Sequence, residues 1–144
     1  MLKLIRQLYS LNNNKYKFRL PTEAEWEDAC RSGGKPETYS GDSRINRVAW
    51  YKKNSGRRIH RVGTKATNGL GLYDMFGNVW EWCEDRYAKD AYTRHTRNNP
   101  IINKGSNVVN RGWSYHRGDC RSANRGQSPG CRDDSLGFRL AWSD

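Results

Sequence analysis

Thr22 and Glu25 set the firmest constraint on how this chain folds. A threonine followed three residues later by glutamate is a capping box: the hydroxyl accepts from the third helical amide while the carboxylate reaches back to the cap amide. The acidic residues of the opening turn also suit the positive end of a helix dipole. The helix begun there is expected to run to about Arg31 and stop at Gly33-Gly34, with Trp26, Ala29 and Cys30 facing inward. Ahead of it, Leu2, Ile5, Leu8 and Tyr9 fall on one stripe of a helix over 2–10, which Asn12-Asn13-Asn14 ends because asparagine favours turns. Beyond Gly34 the chain becomes rich in loops. Its clearest strand-like pieces are 78–83, 107–112, 120–125 and 136–142, separated by glycine and other turn residues, with six of the fourteen glycines at or after Gly105. Two helices first and short strands later predict an α+β architecture. No internal repeat or linker divides residues 1–144, so a single domain is expected.

The 144 residues suit one domain, and 35% hydrophobic content limits it to a small core. Six Trp, eight Tyr and three Phe exclude a disordered chain, which would be poor in aromatics. No stretch approaches the roughly 20 apolar residues of a membrane-spanning helix. Charges interrupt residues 2–9, so a secretory signal is not expected. That leaves location open between the cytoplasm and a virion or cell surface reached by another route.

A net charge of +11 invites a nucleic-acid reading. Most of the excess lies in 43–73, where Arg44, Arg47, Lys52, Lys53, Arg57, Arg58, Arg61 and Lys65 meet no acidic residue. The stretch has no helical periodicity and contains the turn residues Asn54-Ser55-Gly56, as a solvated basic loop would. A phosphate-binding face is the alternative. Residues 1–22 add five basic residues and no acid, whereas 23–42 are net negative.

Four cysteines, Cys30, Cys83, Cys120 and Cys131, follow no metal-ligand spacing, and zinc is not expected. They allow two disulfides in three connectivities. Without a secretory signal, free thiols in a reducing compartment are the expectation.

Three segments carry a family resemblance. They are residues 18–27 (Phe-Arg-Leu-Pro-Thr-Glu-Ala-Glu-Trp-Glu), residues 71–82 (Gly-Leu-Tyr-Asp-Met-Phe-Gly-Asn-Val-Trp-Glu-Trp), and a C-terminal set of Arg111-Gly112-Trp113-Ser114, 120–125 and Leu136-Gly137-Phe138-Arg139-Leu140. In identity, order and spacing they resemble the formylglycine-generating enzyme (sulfatase-modifying factor) family over essentially residues 2–142. The resemblance implies a variant of the C-type lectin fold, with two N-terminal helices and then short antiparallel strands and long loops. The strands that usually precede the first helix are missing, which implies either a domain shortened at its N-terminus or a sheet edge completed by another chain or left exposed.

Catalytic members of the family use copper and a pair of cysteines five positions apart to oxidise a substrate cysteine to formylglycine. Here the corresponding stretch, 115–121, offers only Cys120, and Cys131 is eleven residues further on. A copper-thiolate mechanism needs two thiolates that can meet, so neither the enzyme nor copper is expected. The iron-dependent branch needs a histidine cluster, and His60, His95 and His116 have no such spacing. The family's calcium loop overlaps 74–81 and would take carboxylates from Asp74 and Glu81 and carbonyls from Gly77 and Val79. The alternative is that Asp74 caps a turn and Glu81 pairs with an arginine. Trp80 and Trp82 are expected to pack in the core.

Residues 113–135 alternate framework with runs of unrelated residues, and this pattern resembles the variable proteins of diversity-generating retroelements. Asparagine codons altered at their first two bases yield Tyr, His, Arg, Gly, Asp, Cys and Ser. That set accounts for Tyr115, His116, Arg117, Gly118, Asp119, Gly126, Gly130, Cys131, Asp133, Asp134 and Ser135, but not for Trp113 or Gln127. All thirteen are candidate ligand-binding residues, with Tyr, Trp and Arg as anchors and Ser, Gly and Asp as adaptable polar contacts. The resemblance implies a non-enzymatic protein with a variable recognition surface for a protein or other macromolecule. An ordinary non-catalytic family member, a formylglycine-type oxidase working through Cys120 and Cys131, and a nucleic-acid module using 43–73 are the alternatives. An oligomer is compatible with each.

Overall fold

The computed structural model describes residues 2–13, 15–94, 98, 100–118, 121–130 and 133–143. Helix α1 (Leu2–Leu11) leads through strand β1 (Lys17–Arg19) into helix α2 (Glu23–Cys30). The capping box is present: Thr22 Oγ accepts from the Glu25 amide at 3.2 Å, and the Thr22 amide donates to Glu25 Oε2 at 2.8 Å. Ser32, Gly33 and Gly34 all take left-handed φ and end the helix one residue beyond its last turn. The inward face is Glu23, Trp26 and Cys30, with Ala29 only partly buried against the core. Glu23 was not foreseen there, since a buried carboxylate needs partners that sequence does not display.

The next elements are one-turn helix α3 (Ile45–Val48), strands β2 (Ala49–Trp50), β3 (Phe76–Gly77) and β4 (Trp80–Arg86), and one-turn helix α4 (Ala91–Arg94). Strands β5 (Val108–Arg111), β6 (Gly126–Ser128), β7 (Leu136–Phe138) and β8 (Ala141–Ser143) follow. The main sheet has the order β6-β5-β4-β7. Strand β4 pairs antiparallel with β5 but parallel with β7, and β2 pairs parallel with β3, which corrects the expectation of antiparallel strands throughout. Strands β1 and β8 join the two ends of the described chain, with Phe18 opposite Trp142.

Two expected strands moved. Residues 121–125 form a turn, with the Asn124 amide on the Arg121 carbonyl, and the strand starts instead at Gly126. The 136–142 run splits into β7 and β8 around Arg139, whose side chain is drawn inward to Glu81.

Alternation along β4 places Glu81, Cys83 and Asp85 in the interior and Trp80 and Trp82 on the opposite, half-buried face. The core comprises Trp26, Cys30, Ala49, Tyr51, Met75, Phe76, Cys83 and Val109. Gly77 sits at φ +73°, and a Cβ there would overlap the Trp50 carbonyl, so β2 and β3 can close only on glycine. An apolar groove of about 700 Å³ lies between α1 and the outer sheet face, lined by Ile5, Phe18, Leu20, Trp82, Val108 and Phe138. Among the described residues no helix is long and apolar enough to cross a membrane.

Candidate functional site

A pocket of about 360 Å³ opens where β4, β5 and β6 meet the loops after β5 and before β7. Six of the thirteen candidate residues line it: Trp113, Arg117, Gly126, Gln127, Asp133 and Ser135. Its floor is aromatic. The indole of Trp113 stacks on Trp80 with centroids 4.9 Å apart and planes 28° from parallel, and the Arg117 guanidinium lies 6.0 Å from the Trp113 centroid. Trp113 takes φ +66°, and its Nε1 is buried without a hydrogen-bond partner. Trp80 is therefore not a core residue as expected. Strand parity turns it away from Glu81 and into the pocket, a signal that the expectation of paired core tryptophans overlooked.

The other candidates are less uniform. Tyr115, His116 and Gly118 sit on the same loop as Arg117 but outside the pocket lining, with His116 and Gly118 exposed. Asp134 is exposed, and Ser135 is buried: its amide and hydroxyl both donate to Asp133 Oδ1, and its carbonyl accepts from the Trp80 amide. Those Ser135 bonds hold the Asp133 carboxyl below the usual carboxylate range. Gly130 lines the groove beneath α1 instead. Asp119 and Cys131 lie outside the described residues, as do Cys120 and His95. Asn110, Arg125, Ser128 and Leu136 also line the pocket, although the alternating pattern singled out none of them as binding residues.

Glycine matters at Gly126. A Cβ there would overlap the Asn110 carboxamide and lie 3.0 Å from the Trp80 ring, so any side chain would press into the pocket floor. Gly118, by contrast, faces open space.

The frame beneath the pocket is ionic. Arg111 is fully buried, donating to Glu23 Oε1 at 2.9 Å and Glu27 Oε2 at 2.6 Å. Arg125 grips Glu23 with two bonds of 2.6 Å and also donates to the Ala88 carbonyl. A further Arg111 bond to the Ser122 carbonyl fixes the turn that leads into β6. Buried charges demand such partners, and here the demand ties strand, turn and α2 together.

Loop 115–117 is attached by its backbone. The Tyr115 amide donates to the Asn78 carbonyl at 2.8 Å, Ser55 Oγ donates to the Tyr115 carbonyl at 2.9 Å, and the Lys52 amide donates to the Arg117 carbonyl at 3.0 Å. Asn78 itself is 3% exposed at φ +59°, bonded to Trp50 through its backbone amide and to His60 through its side chain.

The four residues expected to hold calcium come together around a cavity of about 240 Å³. Asp74 Oδ2 accepts from the Gly63 amide, while its buried Oδ1 has no partner. Glu81 receives the Trp26 indole N–H and two bonds from Arg139, so its charge is already balanced. Among the described residues no group of three His, Cys, Asp or Glu gathers at one point. The unpartnered Asp74 Oδ1 and the cavity it shares with Gly77, Val79 and Glu81 are compatible with a hard cation, although the Arg139 charge acts on Asp74 as well as on Glu81.

Cys30 and Cys83 are buried and free; burial pushes the Cys30 thiol up to about 12 and raises the Cys83 thiol as well. The basic stretch is not featureless, since it includes α3 and β2. Asp42 pairs with Arg44 and Arg47, and Lys65 turns onto the Trp50 ring.

The profile of the sulfatase-modifying factor enzyme 1-like domain matches residues 7–144. The formylglycine-generating enzyme of Mus musculus is 33% identical over 143 residues, covering 85% of this chain and 38% of that protein. Chaperone protein LppX of Paenibacillus barcinonensis is 38% identical over 111 residues, 64% of this chain and 40% of its own. Among solved structures, Treponema denticola variable protein 1 superposes with a TM-score of 0.75 at 41% identity, over 88% of this chain and 48% of that one. PvdO from Pseudomonas aeruginosa gives a TM-score of 0.78 at 29% identity, over 96% and 56%. The chain thus spans less than two thirds of the length of each relative.

Proposed function

The chain belongs to the sulfatase-modifying factor enzyme 1-like family, with its C-type lectin-like fold, and from that premise we propose that it is a non-enzymatic variable protein that binds a macromolecular ligand through the pocket floored by Trp80 and Trp113. The observation that carries this reading is how loop 115–117 is held. Its three bonds to Asn78, Ser55 and Lys52 all use its backbone, so Tyr115, His116 and Arg117 can be exchanged without releasing the loop. Gly118 faces open space and accepts a side chain equally well. A rigid scaffold bearing exchangeable side chains around an aromatic floor is the arrangement a paratope uses. The likeness to a protein named as variable points the same way.

An oxidase would need accessible thiolates. Cys30 and Cys83 are held protonated in the core, so the burden of that chemistry falls on Cys120 and Cys131 alone.

Calcium belongs to the scaffold in this reading. Asp74 and the carbonyls of Gly77 and Val79 would hold it, with Glu81 adding a carboxylate already shared with Arg139. When bound, the ion supplies positive charge that satisfies Asp74 Oδ1 and stiffens the turn leading into β4.

Sequencing the gene from independent isolates tests the function. Variation concentrated in the codons for 115–118 and 133–134 is expected, while variation spread evenly along the chain overturns the reading. Copper-dependent oxygen consumption with a cysteine-containing sulfatase peptide, abolished by Cys120→Ala, would overturn the non-enzymatic assignment.

A further inference from the structure

Residues 51–58 form a tight turn beside the pocket. Tyr51 is buried, its amide donates to Asn54 Oδ1, and its carbonyl accepts from both the Asn54 and Ser55 amides. Gly56 and Arg57 both take left-handed φ, and His60 Nε2 lies 2.7 Å from the Ser55 carbonyl. The turn presents Lys52, Lys53, Arg57 and Arg58, all exposed and, among the described residues, without an ion-pair partner. Arg44, Arg47 and Lys65 of the same basic stretch are engaged elsewhere, so the free charge of 43–73 collects on this turn and neighbouring Arg61.

The turn and the recognition loop are one body. Lys52 N–H bonds the Arg117 carbonyl and Ser55 Oγ bonds the Tyr115 carbonyl, so the turn that carries the four cations is tied to the loop whose Arg117 lines the pocket. Resting on the binding reading above, we propose that this turn is a constant cationic ledge that receives the acidic surface of a protein partner seated over the variable pocket. The ledge would supply attraction common to every variant, while the exchangeable side chains supply selection.

An acidic polypeptide fits the ledge better than nucleic acid does. Base stacking needs an open aromatic face, and the turn itself offers none. The Trp50 ring is taken by His60 stacked at 3.8 Å and the Lys65 ammonium at 3.9 Å, and the Trp80–Trp113 floor belongs to the pocket rather than to the turn. Tyr51 is buried, and Tyr115 is half-buried against His116. The cations also lie on an irregular turn, without the regular register that tracks a phosphate backbone.

Binding of poly-L-glutamate and of a 20-base-pair DNA duplex, each measured at 20 and 150 mM NaCl, tests the ledge. The variant combining Lys52→Glu, Lys53→Glu, Arg57→Glu and Arg58→Glu is compared with a charge-matched one combining Arg6→Glu, Lys15→Glu, Lys17→Glu and Lys89→Glu. Circular dichroism melts confirm that both are folded. We expect the ledge variant to lose at least ~10-fold in poly-L-glutamate affinity at low salt, with the matched variant changing less than ~3-fold, because local field rather than total charge governs the encounter. Equal losses in both variants overturn the ledge as a site. Tighter binding to the duplex than to poly-L-glutamate, lost in the ledge variant, overturns the acidic polypeptide as partner. Either result leaves the isolate-sequencing test of the variable pocket standing by itself.

Discussion

Trp80 and Trp113, one on a strand and the other on a loop, share a stacked floor with their ring centroids 4.9 Å apart. The pocket therefore depends on a residue of strand β4 meeting a residue of the loop that follows β5. Trp80→Ala should remove that floor and cost about 2–3 kcal/mol, below the 3–5 typical of a fully buried aromatic because Trp80 is only half-buried. Urea denaturation measures the loss, and the unstacked Trp113 should show it as a fluorescence change. An unchanged midpoint would mean that the stack carries no stability.

Gly126 should resist a side chain that Gly118 accepts. Gly126→Ser places Cβ against the Asn110 carboxamide and the Trp80 ring, and overpacking of this kind costs about 1–3 kcal/mol. Gly118→Ser, facing open space, should change stability by no more than about 0.5 kcal/mol. Thermal melts of the two variants side by side decide the point; similar melting temperatures would place Gly126 among the exchangeable positions.

Glu23→Ala strips Arg111 and Arg125 of a shared buried partner and should cost about 3–5 kcal/mol, the usual penalty for leaving a buried charge unmatched. Hydrogen exchange should rise at 121–126 before the rest of the sheet, because Arg125 loses two of its bonds there. Uniform exchange across the sheet would contradict this local role.

Arg19 donates two hydrogen bonds to Glu25 and so holds its carboxyl below the usual carboxylate range. A depressed folded pKa means that the pair stabilises above the unfolded value of about 4.3 and that this contribution fades as pH falls through the folded pKa. Both side chains are partly exposed, so about 0.5 kcal/mol is expected. Glu25→Gln keeps a capping-box residue and removes the charge. The gap between wild type and variant should be present at pH 7 and absent near pH 2; a constant gap would assign the effect to the cap instead.

Calcium should raise the melting temperature at millimolar concentration, and Asp74→Asn should abolish the rise. With Arg139 balancing Glu81 and lying near Asp74, affinity of about 10⁻⁴–10⁻³ M is expected, at the weak end for such sites. Isothermal titration of wild type and variant tests it, and an absent response in wild type rules the ion out.

Much of the first half of this chain is legible from local rules. The capping box at Thr22 and Glu25 and the glycine stop at Gly33 reappear in the structure because each depends on neighbours within a few residues. Residues 121–125 turn instead of forming the expected strand, and Arg125 is recruited across 102 residues to Glu23, a partnership no spacing rule exposes. Trp80 was misassigned for a different reason: an aromatic pair invites a core reading, and only strand parity separates Trp80 from Glu81. The attachment of 115–117 to Ser55 and Lys52 runs through backbone groups, which every residue possesses, so sequence gives it no signature.

The double grip of Arg111 and Arg125 on Glu23 also has a bearing on the ribosome. Helix α2 leaves the ribosome well ahead of the partners of its Glu23, which lie 88 and 102 residues later. Long-range closures of this kind are slow, since loop entropy is spent before any contact forms. Until about residue 125 has left the exit tunnel, α2 carries an unmatched carboxylate where the core should be. Helix α2, strand β5 and the turn into β6 can thus lock together only once Arg125 is available, in a single late closure rather than piece by piece.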